Sequence, residues 1–234
     1  MRGTIVTLGG GGFAMSEGGA SLIDDQILAL SASSRPKVCF VPTASGDDGG
    51  YIRRFEDAFR GRATTSVLSL FCRDPWGYTD PAMLLDQDVV YVGGGSTVNL
   101  LDLWRRHGVA ELMAQAAAQG TVLAGISAGM NCWYEASSTD SFGPLAPLND
   151  GLGLLRGSAC PHYRGEPGRR ERYLGWVADG SLPAGYAVDD YAALLFRDGE
   201  LSGGFAERPG SQAFRVELGA GSAVEREIPL QLLS

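Results

Sequence analysis

Histidine and cysteine are scarce in this chain. Its 234 residues hold two histidines, His107 and His162, and four cysteines, Cys39, Cys72, Cys132 and Cys160, with no C-x-x-C pair. Those spacings argue against both a structural zinc site and a disulfide framework, so no metal is expected. Positive charge is short as well. Nineteen Lys and Arg against 27 Asp and Glu leave a formal net charge of −8, so the basic footprint of a nucleic-acid binder, or of a protein held on an anionic membrane, is missing. No apolar run approaches the ~18–20 residues needed to span a bilayer. Arg2 leads straight into TIVTL without a leader-like pattern, and a cytoplasmic location is the expectation. Glycine, by contrast, is abundant: 34 of 234 residues, about twice the usual ~7%. No G-X-Y period or low-complexity tract accounts for it.

No linker divides the chain, and a single domain over residues 1–234 is expected. Thr4–Leu8, Val38–Val41, Thr65–Leu70, Val89–Val92 and Thr121–Ile126 are short, nearly continuous apolar runs, the pattern of strands buried on both faces. Between them lie segments of helical period, 22–32, 51–60, 98–106 and 110–119. The alternation predicts a mostly parallel sheet covered by helices on both faces. Tyr51, Phe55 and Phe59, like Leu100, Leu101 and Trp104, recur at helical spacing and read as faces packed on that sheet. In the last third a helix near 169–178 is followed by short apolar segments at 186–188, 192–196 and 213–216 between Gly-rich turns. These predict added or antiparallel strands on one sheet edge.

Gly125-Ile126-Ser127-Ala128-Gly129 is G-x-S-x-G, directly after the buried run TVLAGI and before AGMNCWYEA, which reads as a helix. In that context the motif has a mechanism. A sharp strand-to-helix turn lifts the serine hydroxyl out of the sheet, and the flanking glycines remove Cβ atoms that would clash. The Ala128 N–H, at the start of the helix, can point at a developing oxyanion.

A serine nucleophile needs a base. His107, in WRRHG, sits where an imidazole caps a helix C-terminus. His162, in CPHYRG, follows a strand-like segment 35 residues after Ser127 and is the expected base. Asp190 ends the apolar segment GYAVDD and is the expected third member, which would hold the imidazole. Asp140 is its main rival, with Glu135, Asp189 or no acid as the remaining alternatives.

Two further glycine runs, Gly9–Gly12 and Gly93-Gly94-Gly95-Ser96-Thr97, follow strands. Neither completes G-x-G-x-x-G, and no G-K-[ST] follows either, which argues against nucleotide binding. Both fall at C-terminal strand ends, where open α/β sheets build their sites. Gly95 is the expected second oxyanion donor, and a β-branched residue there is expected to lower turnover more than stability.

Taken together, VGGGSTVNLL, AGISAGMNCW, CPHYRGEPGRR and GYAVDDYAAL resemble the peptidase E family of serine peptidases, relatives of cyanophycinase, over most of the chain. The resemblance implies a three-layer α/β sandwich akin to class I glutamine amidotransferases, flavodoxin-like, with the nucleophile on a strand-to-helix elbow. It implies Ser127 as nucleophile, His162 as base, Gly95 and Ala128 as oxyanion donors, and Asp190 as an acid whose counterpart varies within the family. The best-known family activity, hydrolysis of dipeptides with N-terminal aspartate, needs a cation for the substrate carboxylate. Arg164, Arg169 and Arg170 are available for it, with Arg169 and Arg170 the expected pair. The sequence departs from the family pattern at Ser96, where GGGST stands for the usual GGGNT, and in a short segment between His162 and the arginine pair.

The resulting expectation is a cytoplasmic serine hydrolase acting on small peptides through an acyl-enzyme. It would need no cofactor, nucleic acid or membrane, and a homodimer would suit the family. An α/β-hydrolase esterase shares G-x-S-x-G but places its histidine last in the chain order, whereas here 72 residues follow His162. A binding module that keeps the elbow without turnover is the non-enzymatic alternative.

Overall fold

The computed structural model describes residues 2–16, 21–71 and 78–234; Cys72 lies outside them. In chain order the first half runs β1 (Thr4–Leu8), α1 (Gly12–Met15), α2 (Leu22–Ala29), β2 (Lys37–Val41), α3 (Gly49–Phe59), β3 (Thr64–Val67), β4 (Val89–Val92), α4 (Thr97–His107), α5 (Val109–Gln119) and β5 (Val122–Ile126). The second half continues with α6 (Ala128–Asn131), β6 (Tyr134–Thr139), β7 (Ala146–Leu148), β8 (Leu155–Cys160), α7 (Arg169–Asp179), β9 (Gly185–Val188), β10 (Ala192–Arg197), β11 (Glu200–Ala206), β12 (Ala213–Leu218), β13 (Ala223–Ile228) and β14 (Gln231–Leu232).

The main sheet has the order β14-β11-β10-β1-β5-β4-β2-β3. β1 to β5 are mutually parallel, and β10 and β11 join antiparallel beside β1. One face is covered by α1 to α3, whose Phe13, Ile27, Phe55 and Phe59 meet Val6, Val38, Phe40 and Tyr91 of the strands. Phe55 stacks on Phe40 with ring centroids 4.8 Å apart. The opposite face is covered by α4 and α5, through Leu100, Leu101, Trp104 and Met113 against Ile5, Val41, Val92 and Leu123. The two aromatic and aliphatic sets with helical spacing are thus the buried faces of α3 and α4. Local caps set the helix ends. Asp48 accepts from the Tyr51 N–H at 2.7 Å at the start of α3, and Ser96 accepts from the Asn99 N–H at 3.2 Å at the start of α4. Gly108, left-handed at φ 66°, ends α4 after Arg105, Arg106 and His107, cations where the helix dipole favours them.

The structure departs from the sequence expectation in three places. The segment expected as the strand Thr65–Leu70 leaves the sheet after Val67, because the buried Asp47 carboxylate takes the Leu70 and Phe71 N–H groups at 2.9 and 3.0 Å. The helix after Ser127 is a single turn. Tyr134 and Ala136 turn inward on a strand instead, and Tyr134 meets Phe196 of β10 edge to face at 6.0 Å. Finally, β10 extends the main sheet on one edge as expected, with β11 and β14 beyond it, but the segments expected beside it at β9 and β12 do not. Those two join a second sheet of order β13-β12-β9-β8-β6-β7.

That second sheet lies on the α4/α5 side of the main sheet, contributing Tyr134, Leu155, Ala159 and Val188 to the same core as Leu194 and Phe196. Its outer face is closed by α7, where Tyr173 and Val177 pack on Cys160, Ala187 and Val216. The C-terminal ends of β1, β5, β8 and β9 are thereby brought to one place. Among the described residues, no helix is long and apolar enough to cross a membrane.

Candidate active site

β5 delivers the chain into the elbow at Ser127, which holds φ 56° and ψ −112°, a strained conformation for a residue with a side chain. Its N–H donates to the Leu8 carbonyl at 3.1 Å, tying the turn to the end of β1. The flanking glycines are required by close approach. A Cβ on Gly125 would lie 2.1 Å from the Gly129 carbonyl oxygen, and one on Gly129 would lie 2.4 Å from that of Val92.

His162 follows β8 in a left-handed turn at φ 51°, and its N–H donates to the Gly9 carbonyl at 3.3 Å. Asp190 follows β9 and is bridged to Gly10, with the Tyr191 N–H on the Gly10 carbonyl at 2.9 Å. The first glycine loop is therefore the seat on which the His162 and Asp190 turns rest. There the His162 Nδ1 lies 2.6 Å from Asp190 Oδ1, and the Nε2 lies 2.9 Å from Ser127 Oγ. An ionised carboxylate only accepts, so Nδ1–H donates to Asp190, which leaves Nε2 as the acceptor for the Ser127 hydroxyl. The His162 and Asp190 side chains are 19% and 25% exposed, so the pair opens to solvent on one side.

The other candidate acids make no hydrogen bond to the His162 ring. Asp189 is buried and receives the Arg164 side chain, with Nε at 2.8 Å, together with the Arg164 and Gln212 N–H groups. Glu135 accepts from the Gly157 N–H at 2.8 Å. Asp140 faces Arg169, with 3.8 Å between Oδ2 and Nη2.

A cavity of about 190 Å³ opens beside Ser127, lined by Gly95, Thr97, Ala128, Asn131, Ser138, Asp140, His162, Glu166 and Arg169 among others. Gly95 sits at φ 135°, and a Cβ there would lie 2.2 Å from the Ala44 carbonyl oxygen. The loop is fixed around it, because the Ser96 N–H donates to Ala44 at 2.8 Å and the Gly94 N–H to Tyr51 Oη at 3.3 Å. Among the described residues, no hydrogen bond engages the Gly95 or Ala128 N–H. Two free donors beside a serine oxygen are the components of an oxyanion site.

The expected arginine pair is split by its helix. Arg169 lines the cavity with its side chain 4% exposed, donating from Nε and Nη2 to Glu166 Oε2 at 2.8 and 2.5 Å. Arg170, one position on, points away and pairs with Glu225, and Arg164 is taken by Asp189. Sequence reasoning passed over Asn131, Ser138 and Glu166. Asn131 had a usable signal: it lies four residues after Ser127, which is the same face of the helical turn. Among the described residues, no group of three or more His, Cys, Asp or Glu side chains is placed to hold a metal ion.

Several known proteins resemble this chain over most of its length. The model of Peptidase family S51 matches residues 5–203. The chain is 44% identical over 230 residues to the uncharacterized peptidase YgaJ of Bacillus subtilis (strain 168), covering 98% of each. It is 29% identical over 166 residues to a peptidase E of Streptomyces coelicolor, covering 70% of this chain and 65% of that one. Among solved structures, a peptidase from an acI-B1 Actinobacterium superposes with a TM-score of 0.68 at 16% identity, over 97% of this chain and 98% of the other. A putative peptidase E from Listeria monocytogenes EGD-e gives 0.62 at 20% identity, over 86% and 97%.

Proposed function

The chain belongs to peptidase family S51, and from that membership we propose a serine peptidase that cleaves small peptides through an acyl-enzyme on Ser127. The Ser127 oxygen attacks the scissile carbonyl while His162 Nε2 takes its proton. The same nitrogen returns the proton to the leaving amine, and a water molecule then repeats the sequence to release the acid. Asp190 holds the ring in the required tautomer and balances the imidazolium as it forms. The N–H groups of Gly95 and Ala128 receive the oxyanion, and one such donor typically contributes about 3 kcal/mol to the transition state. Gly95 and Ala128 thus complete the machinery without a metal or cofactor.

The observation that carries this reading is the unbroken path from Asp190 Oδ1 to His162 at 2.6 Å and on to Ser127 Oγ at 2.9 Å, at a strained elbow beside a cavity of single-residue size. Action in the cytoplasm, and a homodimer as the assembly, belong to the same proposal. The finer expectation from family resemblance, dipeptides with N-terminal aspartate, is supported by the buried Arg169 and opposed by the Glu166 carboxylate already seated on it.

The test is hydrolysis of a dipeptide panel by the wild type and by Ser127→Ala, His162→Ala and Asp190→Asn. Loss of turnover in the first two and a fall of ~10³–10⁴ in kcat for the third are expected. Turnover that survives Ser127→Ala unchanged refutes the proposal. A binding role without turnover would instead show as peptide binding with no cleavage by the wild type.

A further inference from the structure

The cavity beside Ser127 carries an uneven set of partners. Among the described residues its one guanidinium is that of Arg169, which is 4% exposed and already faces two carboxylates, Glu166 at 2.5 Å and Asp140 at 3.8 Å, themselves 47% and 61% exposed. The wall therefore has a cation at its buried end and a net negative charge. Asn131, 3% exposed, donates through Nδ2 to Thr97 Oγ1 at 3.2 Å and to the Ser138 carbonyl at 3.0 Å. The Ser138 carbonyl can only accept, which fixes the orientation of the amide. Asn131 Oδ1 is left buried with no partner among the described residues. A buried acceptor without a donor is costly to the folded protein and is relieved by a ligand that brings one.

A side chain that suits this wall needs a donor for Asn131 Oδ1 and an acceptor for the remaining Arg169 N–H groups. It must also bring no further negative charge. A carboxylate lacks the donor and adds a third negative charge. An ammonium supplies the donor but offers no acceptor to the Arg169 N–H groups. A carboxamide meets every requirement, and one short enough for a cavity of about 190 Å³ fits beside the reacting carbonyl. We propose that the residue acylating Ser127 carries a carboxamide, so that peptides with N-terminal asparagine are preferred over their aspartate isosteres, with Asn131 and the Glu166–Arg169 pair as the specificity determinants. This rests on the serine peptidase reading above.

Asparagine and aspartate have the same shape, so comparing the two isolates charge and hydrogen bonding. With the full chain and the dipeptides Asn-Leu, Asp-Leu and Ala-Leu, kcat/KM for Asn-Leu should exceed that for Asp-Leu by about tenfold or more. Glu166→Gln, which frees Arg169, should move the Asn-to-Asp ratio toward aspartate by about tenfold, and Asn131→Leu should lower Asn-Leu relative to Ala-Leu by a similar factor. Each readout is a ratio within one variant, so a partly folded preparation does not distort it. Equal or better cleavage of Asp-Leu by the wild type, or an unchanged ratio in Glu166→Gln, overturns the inference. Cleavage of Ala-Leu without Asn-Leu does the same, and in all these cases the peptidase reading stands. Cleavage of none of the three, together with no Ser127-dependent labelling by a fluorophosphonate, overturns that reading and the inference with it.

Discussion

Replacing Gly10 with alanine would disturb the proposed catalytic relay without touching any of its members. A Cβ at Gly10 would lie 2.0 Å from Asp190 Oδ1, the oxygen that meets the imidazole, and 3.0 Å from His162 Nδ1. An ordinary carbon–oxygen contact is above about 3 Å, so the carboxylate must retreat by about 1 Å. Its other oxygen has little room, since a Cβ at Gly165 would lie 2.5 Å from Asp190 Oδ2. A retreat of that size stretches the 2.6 Å contact to His162 beyond hydrogen-bond length. A misplacement of about 1 Å in a catalytic group typically costs ~10² in rate, and complete loss of the orienting acid ~10⁴. We therefore expect kcat of Gly10→Ala to fall by about 10²–10³. Stability should change little, because the displaced atoms end a side chain that is 25% exposed. A loss below about 1 kcal/mol, or about 4 °C in Tm, is expected for a chain of this length. Steady-state kinetics on a cleaved dipeptide and a thermal melt of the same preparation provide both readouts. Turnover within threefold of the wild type in a folded Gly10→Ala variant would refute the role given to Asp190.

Three further outcomes follow from the packing. Gly95→Val is expected to cost stability as well as turnover: its Cβ would press within 2.2 Å of the Ala44 carbonyl at φ 135°, a penalty of about 3 kcal/mol that a thermal melt would show as a drop of roughly 10 °C. Asp24 is buried and its pKa is raised from 3.8 to about 7, chiefly by desolvation and despite the hydrogen bond from Tyr91. The folded state then holds a proton that the unfolded state has lost between about pH 4 and pH 7, so stability should fall across that window by up to about 4 kcal/mol. Denaturant titrations of Asp24→Asn should lack that slope. Arg164→Ala leaves the Asp189 carboxylate, 8% exposed, with backbone N–H partners alone, and should lower the urea midpoint by the equivalent of about 1–3 kcal/mol.

The parallel core was legible because β4 and β5 are buried along their whole length, which writes them as continuous apolar runs. The second sheet was legible only in part: β8, β9 and β12 read as strands, but not as a sheet of their own. β6 reads YEASST, and its Ser137, Ser138 and Thr139 are buried polar residues. Their place is set by partners distant in the chain, and no apolar run announces them. β13 reads AVEREI, with mostly exposed alternate positions, and looks like a charged loop until β12 pairs with it. In the site, Ser127 was legible from its two glycines and the strand before it, and His162 because the chain offers just one other imidazole. The division of labour between Arg169 and Arg170 was hidden, because adjacent helix positions are turned about 100° apart and the sequence does not say which one faces the elbow.

Covalent labelling with a fluorophosphonate, followed by peptide mapping, tests the central claim most directly. One equivalent should be bound, on the peptide carrying Ser127; Ser127→Ala should take up none, and His162→Ala should react at least ~10²-fold more slowly. Labelling of Ser127→Ala at the wild-type rate, or a wild-type adduct mapped to any other residue, would contradict the assignment of Ser127 as the nucleophile.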